Sequence, residues 1–336
     1  MPANLTPAYK TAEGHYRYAR DPAERLDALK EMLRAIPKHK GTEHLQADIK
    51  AKIKELSDEL AGPKKGGAKT GPPTVVRPDG AGQIALLGPP NSGKSAIHAA
   101  LTGSHAHAAD YPFTTQYPMP GMVPVHDISI QLVDLPPISV EHPIPWISNA
   151  LYPADGCLLV VDLSQPGVVE RVIALHELLA ERRVVLTDQW PNDGPEDPDR
   201  DLFTKHIPTL LVGSKADMLD ESREELAVLE ELAGISYPYL AVSTTTGQGL
   251  EELGMWLFDH LDVVRVYTKI PGKDPDMDKP YTVKRGATVH DVALLVHRDI
   301  AAGLTYARAW GTSEYDARHV GADHPVEDGD ILELHS

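Results

Sequence analysis

Cysteine is nearly missing from this 336-residue chain; Cys157 is the single one. No intrachain disulfide can form, which fits a reducing compartment. Cys157 lies in an apolar run, 156–161, so buried packing is expected of it rather than reactivity. Long hydrophobic runs are lacking too. No stretch approaches the roughly 20 apolar residues that span a bilayer, and the N-terminus has no apolar signal-peptide core. A soluble, cytoplasmic protein without membrane contact is expected. Aromatic residues are sparse at 6%, and Trp146, Trp190, Trp256 and Trp310 are too scattered to suggest a platform for stacked bases. Positive charge is scarce beyond the N-terminal part. Residues 1–70 hold 14 Lys and Arg against 10 Asp and Glu, and the remainder holds 18 against 39. The acidic body repels nucleic acid, whereas the basic head is able to touch it; a lysine-rich helix is more often a plain solvated face. His105 and His107 form an H-x-H pair that no further Cys or His cluster supports, so a surface loop is expected rather than a metal site.

Glycine and proline, by contrast, are plentiful, and one octapeptide rich in them stands out, Gly88-Pro89-Pro90-Asn91-Ser92-Gly93-Lys94-Ser95. It fits G-x-x-x-x-G-K-[ST], the phosphate-binding P-loop. The apolar segment 83–87 before it reads as a buried strand, and 96–101 after it reads as a helix. Phosphates need this order of parts. The turn aims backbone N–H groups at the anion, and the helix N-terminus adds a positive dipole. In such a loop Lys94 bridges phosphates and the Ser95 hydroxyl binds Mg²⁺.

The first 20 residues show no periodicity. Asp21, Pro22 and Glu24 mark a helix start, with Leu26, Leu29, Leu33 and Ile36 on one face. Thr42 caps a second helix with the stripe Leu45, Ile49, Ile53, Leu56 and Leu60. The two predict a helical hairpin, followed by a Pro/Gly/Lys linker over 63–73. From residue 81 strands and helices alternate. Strands are expected at 123–126, 128–133, 156–162, 207–213 and 239–242, and helices at 168–182, 221–232 and 250–260. Residues 186–206, acidic and rich in Pro and Gly, read as an exposed loop. This alternation predicts an α/β fold with a parallel sheet and the ligand at the strand C-termini. After 263 the pattern changes to a small β-rich unit. Strands are expected at 264–268, 281–283, 305–310 and 330–334. A helix capped by Thr288 is expected to turn Val289, Val292, Leu295 and Val296 inward.

The order GPPNSGKS, YPFTT, DLPP, SKAD and STTTG resembles the five G motifs of a translation-factor-class GTPase. YPFTT followed by PMPGM is similar to the Obg and DRG (developmentally regulated GTP-binding protein) branch. The segment KHKGTEHLQADIKAKIKELSDEL resembles the N-terminal helical part of DRG proteins. The stretch from VRVYTKIPGKDPDMDKPYTVKRGATVHDVALLVHRDI to VGADHPVEDGDILEL resembles their TGS domain, a ubiquitin-like β-grasp. The resemblance implies three parts: a helical hairpin with linker at 1–80, a P-loop G domain at 81–262 and a TGS domain at 263–336.

It also implies roles. Guanine nucleotide contacts fall to Gly88, Pro89, Pro90, Asn91, Ser92, Gly93, Lys94, Ser95 and Ala96, and to Thr115, Asp134, Ser214, Lys215, Asp217, Ser243 and Thr244. Lys94, Thr115 and Asn91 carry the catalytic roles. Mg²⁺ is held by Ser95, Thr115 and, through water, Asp134. Asn91 matches the asparagine of potassium-dependent members, so K⁺ is a second expected cofactor. Lys215 and Asp217 match the pair that reads guanine, whose N1 and N2 donors a carboxylate accepts and adenine cannot offer. Ser243 and Thr244 match the loop beneath guanine O6, although a plain Ser/Thr turn accounts for them as well.

Three departures stand out. Pro137 replaces the glycine of DxPG, whose N–H meets the γ-phosphate, and proline has no N–H to give. Ile138 stands where many GTPases place a water-orienting glutamine. Ser214 replaces the asparagine of NKxD and is expected to give up a contact to the base or the P-loop. The extra domain that eukaryotic and archaeal relatives carry inside the G domain has no counterpart beyond loop 186–206. The resemblance implies a GTP-binding switch of slow, potassium-assisted hydrolysis, docking on a ribosome or ribosomal RNA or protein through its two ends, with a regulatory protein as a further partner. The alternative is a module that binds guanine nucleotide without turning it over, because of Pro137. A third reading gives the TGS segment a small ligand such as a guanosine alarmone, for which no pocket signature is found.

Overall fold

The computed structural model describes residues 5–19, 21–61, 74–103, 117–193, 201–218 and 222–336, except 312–316. The predicted linker, the YPFTT segment with Thr115, and the His105 and His107 pair lie outside the described residues.

Three helices open the chain: α1 (Pro7–Tyr18), α2 (Pro22–Ala35) and α3 (Glu43–Ala61). The sequence predicts two. The missed α1 buries Tyr9, Ala12 and Tyr16, an aromatic and alanine face that a search for aliphatic periodicity passes over. Helix α2 starts as expected. Asp21 accepts the Ala23 N–H at 2.8 Å, and Pro22 takes the first turn. Leu29 and Met32 are fully buried between α1 and α3. On α3, Ile49 and Leu56 enter this core, but Leu60 does not, being 46% exposed. Arg25 joins the bundle to the body. Its guanidinium lies 3.5 Å over the Tyr152 ring and donates to Tyr16 Oη at 2.7 Å.

The body is a seven-stranded sheet. Its elements are β1 (Gln83–Leu87), α4 (Lys94–Thr102), β2 (Met119–Val125), β3 (Ile128–Asp134), α5 (Ile147–Leu151), β4 (Gly156–Val161), α6 (Val168–Ala180), β5 (Val184–Thr187), β6 (Lys205–Gly213), α7 (Ser222–Ala233), β7 (Tyr239–Ala241) and α8 (Leu250–His260). The order is β2-β3-β1-β4-β6, with β5 and β7 along the two halves of β6. All pairs are parallel except β2 with β3. Strand β1 shows why both sheet faces are covered. Ile84 and Leu86 face α4 and α8, and Ala85 and Leu87 face α6 and α7.

Loop 186–206 needs correcting. Its start belongs to β5, and Trp190 and Phe203 are buried to 1% and 2% exposure. The Trp190 indole donates to Thr209 O at 3.3 Å and meets Trp256 edge-on. Phe203 packs into the helical bundle. The acidic composition hid these two anchors.

The last part is a five-stranded sheet in the order β11-β10-β12-β8-β9. Its elements are β8 (Val263–Thr268), β9 (Asp276–Lys284), α9 (Val289–Val296), α10 (Arg298–Gly303), β10 (Tyr306–Trp310), β11 (Arg318–Val320) and β12 (Asp330–His335). Strand β12 runs parallel to β8, between it and β10, in a β-grasp arrangement. Thr288 caps α9 in a reciprocal box with Asp291. Val289, Val292 and Ala293 face inward, whereas Leu295, expected inside, is 54% exposed. Helix α9 stops at Val296, and Leu295 falls on its solvent side. Among the described residues, no helix is long and apolar enough to cross a membrane.

Trp190→Ala is expected to lower stability by about 3–5 kcal/mol, because a fully packed ring leaves a cavity between β4, β6 and α8. Urea denaturation followed by circular dichroism checks this.

Candidate functional site

The C-terminal ends of β1, β3, β4 and β6 converge on the P-loop. Gly88 follows β1 with φ 153°, a left-side conformation that suits glycine. A Cβ there would sit 2.3 Å from Val160 O. Gly93, at φ 89°, turns the chain into α4, and a Cβ on it would press against the Ser214 side chain at 3.2 Å. The helix begins at Lys94, two residues earlier than the sequence suggests, so its free N–H groups lie in the loop.

Lys94 is buried, and its ammonium donates to Gly88 O and Pro89 O at 3.2 Å each. Burial pushes its pKa down to about 8, with the nearby Asp134 charge pulling the other way. The loop holds a poorly solvated cation that a phosphate would offset. The Ser95 hydroxyl donates to Asp134 Oδ2 at 2.6 Å. A hydroxyl and a carboxylate at this spot are hard oxygen donors of the kind Mg²⁺ takes together with substrate phosphates. No group of three or more His, Cys, Asp or Glu that would bind a metal without such phosphates is found among the described residues. Pro89 is buried, Pro90 half-buried and Asn91 exposed at φ 61°. Ser92 is buried and Ala96 is in the first turn of α4.

The segment after β3 closes on this loop. Leu135, Pro136, Pro137 and Ile138 are all buried, and Leu135 and Ile138 belong to the sheet core. The Ile138 N–H donates to Gly88 O at 3.3 Å, the same carbonyl that Lys94 reaches. Pro137 offers no donor, and the next one is engaged by the P-loop.

Ser214, Lys215, Asp217, Ser243 and Thr244 lie on the other side. Ser214 corrects one expectation. Its hydroxyl donates to Ser92 O at 2.8 Å, so the contact to the P-loop is kept despite the shorter side chain. Lys215 takes a left-handed φ of 56°, and its ammonium pairs with Asp162 Oδ2 at 2.6 Å. Burial pushes the Asp162 carboxyl up, but Lys215 and the Ser164 hydroxyl outweigh it and hold it below the usual range. Asp217 stands exposed on the short turn Ala216–Met218. The Ala216 N–H donates to Val242 O at 3.0 Å, which ties this loop to 243–247. There Ser243 is buried, and its hydroxyl accepts the N–H groups of Thr245 and Thr246 at 3.2 Å. It forms the Ser/Thr turn, with Thr244 exposed.

The structure therefore brings together 88–96, Asp134, Ser214, Lys215 and the 243–244 turn. Thr115 lies outside the described residues. Two participants escaped sequence reading. Asp162 ends β4 and engages Lys215. Gln165 donates to Asn91 O at 3.3 Å. An aspartate closing the apolar run 156–161 was the available signal for the first.

Residues 83–188 match a family model described as a 50S ribosome-binding GTPase, and 264–336 match the TGS domain. A GTP-binding protein of Methanocaldococcus jannaschii is 28% identical over 93% of this chain and 92% of its own. Developmentally-regulated G-protein 2 of Arabidopsis thaliana is 26% identical over 93% and 90%. The Dictyostelium discoideum developmentally-regulated GTP-binding protein 2 homolog is 26% identical over 93% and 98%. Among solved structures, the YchF GTPase of Schizosaccharomyces pombe covers 77% of this chain and 99% of its own, with TM-score 0.52 and 13% identity; that likeness is one of fold.

Lys94→Met is expected to stabilise the nucleotide-free protein at pH 7 while abolishing nucleotide binding. The native Lys94 binds its proton less tightly than in the unfolded chain. Its burial cost is therefore present below about pH 8 and fades as pH rises toward the unfolded value near 10.5. The stabilisation by Lys94→Met fades over the same range, as thermal melts across pH would show. Ser214→Ala is expected to weaken guanine nucleotide binding about tenfold through the loss of the Ser92 contact, read by calorimetry.

Proposed function

Because this chain belongs to the DRG family of GTP-binding proteins, with a P-loop GTPase domain followed by a TGS domain, we propose that it hydrolyses GTP slowly to GDP and phosphate as a translation-associated switch. The observation that carries this reading is the meeting of Lys94, Ser95 and Asp134 at the mouth of α4. A water oxygen attacks the γ-phosphorus, the bond to the β–γ bridging oxygen breaks, and the water proton passes to the released phosphate. Lys94 contacts the transferring group, and the N–H groups of 91–95 cradle the β-phosphate. Asp217 accepts the guanine N1 and N2 donors, and the Lys215 stem covers the base. Ser95, Thr115 and a water-linked Asp134 would hold Mg²⁺, which supplies charge neutralisation at the β- and γ-oxygens when bound. Asn91 would hold K⁺, which supplies a further positive charge beside the phosphates. Ile138 orients no water, which keeps turnover slow.

We divide the labour as helical bundle and linker (1–80), G domain (81–262) and TGS domain (263–336). The two ends would meet the ribosome, its RNA or its proteins, and a cytoplasmic location follows from that role. The description of the matched family model and the lysines of α3 support this. A second reading keeps nucleotide binding without turnover. It is favoured by the burial of Pro137 and the engagement of the Ile138 N–H.

Phosphate release from GTP, measured in potassium and in sodium with Lys94→Ala as the blank, separates the two. Potassium-stimulated release above the blank is expected; tight GTP binding with no release in either salt would establish the second reading. Pro137→Gly is expected to raise turnover, since it frees φ and supplies an N–H at the γ-phosphate position.

A further inference from the structure

We infer that Asp127 is a positioning residue for the nucleotide site: the TGS sheet grips it, and the β2–β3 ribbon carries that grip to Asp134. The inference rests on the reading of a guanine nucleotide site above and concerns how that site is regulated.

Asp127 lies in the tight turn between β2 and β3, beside His126 at φ 54°. This tip is at the end of the sheet away from the P-loop. Both of its carboxylate oxygens are taken by strand β8. Arg265 Nη1 donates to Oδ1 at 3.0 Å, and the Tyr267 hydroxyl donates to Oδ2. Arg265 arrives already oriented. Its Nε and Nη2 hold the two oxygens of Asp328 at 3.0 and 2.7 Å, and its backbone N–H reaches Asp328 Oδ1 at 2.8 Å. The Phe258 ring lies beneath the guanidinium and meets His126 edge-on. Burial pushes the Asp127 carboxyl up, but Tyr267 and Arg265 outweigh it and hold it below the usual range. The contact is therefore a charge-assisted one with fixed geometry, not a lone surface pair.

From the tip, β3 runs from Ile128 to Asp134, a span of about 20 Å. It is bonded to β1 on one side and β2 on the other, and nearly every residue is buried. Such a strand moves as one piece or not at all. Its far end is Asp134, which receives the Ser95 hydroxyl. In sequence β2 leads back to the YPFTT segment. A second contact, Lys284 to Asp155 at 2.9 Å, joins the two sheets without touching the ribbon tip. A partner that shifts the TGS domain would thus act on Asp134 through Asp127, and by reciprocity nucleotide state would act on the TGS face.

The test is the release rate of a fluorescent GDP analogue from the full chain, with its Mg²⁺ dependence. The variants are Asp127→Asn, Tyr267→Phe, the double variant and Lys284→Ala. Each of the first two is expected to speed release about fivefold or more and to raise the Mg²⁺ needed to slow it. The double variant should be no faster than the faster single one, because both break one contact. Lys284→Ala should release at the wild-type rate. Wild-type release from folded Asp127→Asn and Tyr267→Phe, even with lowered melting temperature, would reduce the contact to a structural joint and overturn the inference. Equal acceleration by Lys284→Ala would also overturn it, by showing general loosening. Should Asp127→Asn fail to fold, Tyr267→Phe, which deletes one hydroxyl, decides alone. A wild-type chain that holds no guanine nucleotide overturns the parent reading instead.

Discussion

One backbone carbonyl organises the site. Gly88 O accepts the Lys94 ammonium from inside the P-loop and the Ile138 N–H from the segment after β3. It is available because Gly88 adopts a conformation in which a side chain would strike Val160 O. The buried P-loop lysine and the DLPP segment are therefore joined at one atom. Lys94 is poised by its own burial cost, since its charge is poorly solvated where it stands. The DLPP segment is instead pinned, by an apolar core contact on each side of two prolines. The first favours an anion beside Lys94, and the second leaves the DLPP segment little freedom to move.

Around this point the molecule is tied at both ends. Arg25 and Phe203 fix the helical bundle to the body, the first by stacking on Tyr152 and the second by burial. Arg265 and Tyr267 fix the β-grasp sheet to the tip of the β2–β3 ribbon. Neither tie is hydrophobic alone; each uses an arginine whose planar fork serves two partners at once. The body between them carries most of the negative charge, which repels nucleic acid.

The fold was largely legible. A P-loop between an apolar strand and a helix, and strands alternating with helices after it, leave few topologies open. The first helix was not, because Tyr9, Ala12 and Tyr16 do not look like an apolar stripe. Trp190 and Phe203 were masked by acidic neighbours, and Leu295 by a helix that ends one residue later. At the site, the P-loop, DLPP and SKAD motifs brought forward Lys94, Ser95, Asp134 and Lys215, each within or beside a short recognisable pattern. It could not show that Ser214 still reaches Ser92, since that depends on how closely Gly93 lets two loops approach. Asp162 and the Ile138 N–H were invisible for the same reason: one acts through a fold-dependent ion pair and the other through the backbone.

The Ile138 N–H bond to Gly88 O and the burial around it predict that the segment after β3 stays docked on the P-loop in both nucleotide states, leaving any nucleotide signal to Asp134 and the β2–β3 ribbon. Amide hydrogen exchange at Ile138, compared between the GDP complex and a complex with a non-hydrolysable GTP analogue, tests it most directly. Equal and strong protection is expected in both. Loss of protection on going from GDP to the GTP analogue would contradict it, by showing that the segment leaves the P-loop to meet the γ-phosphate.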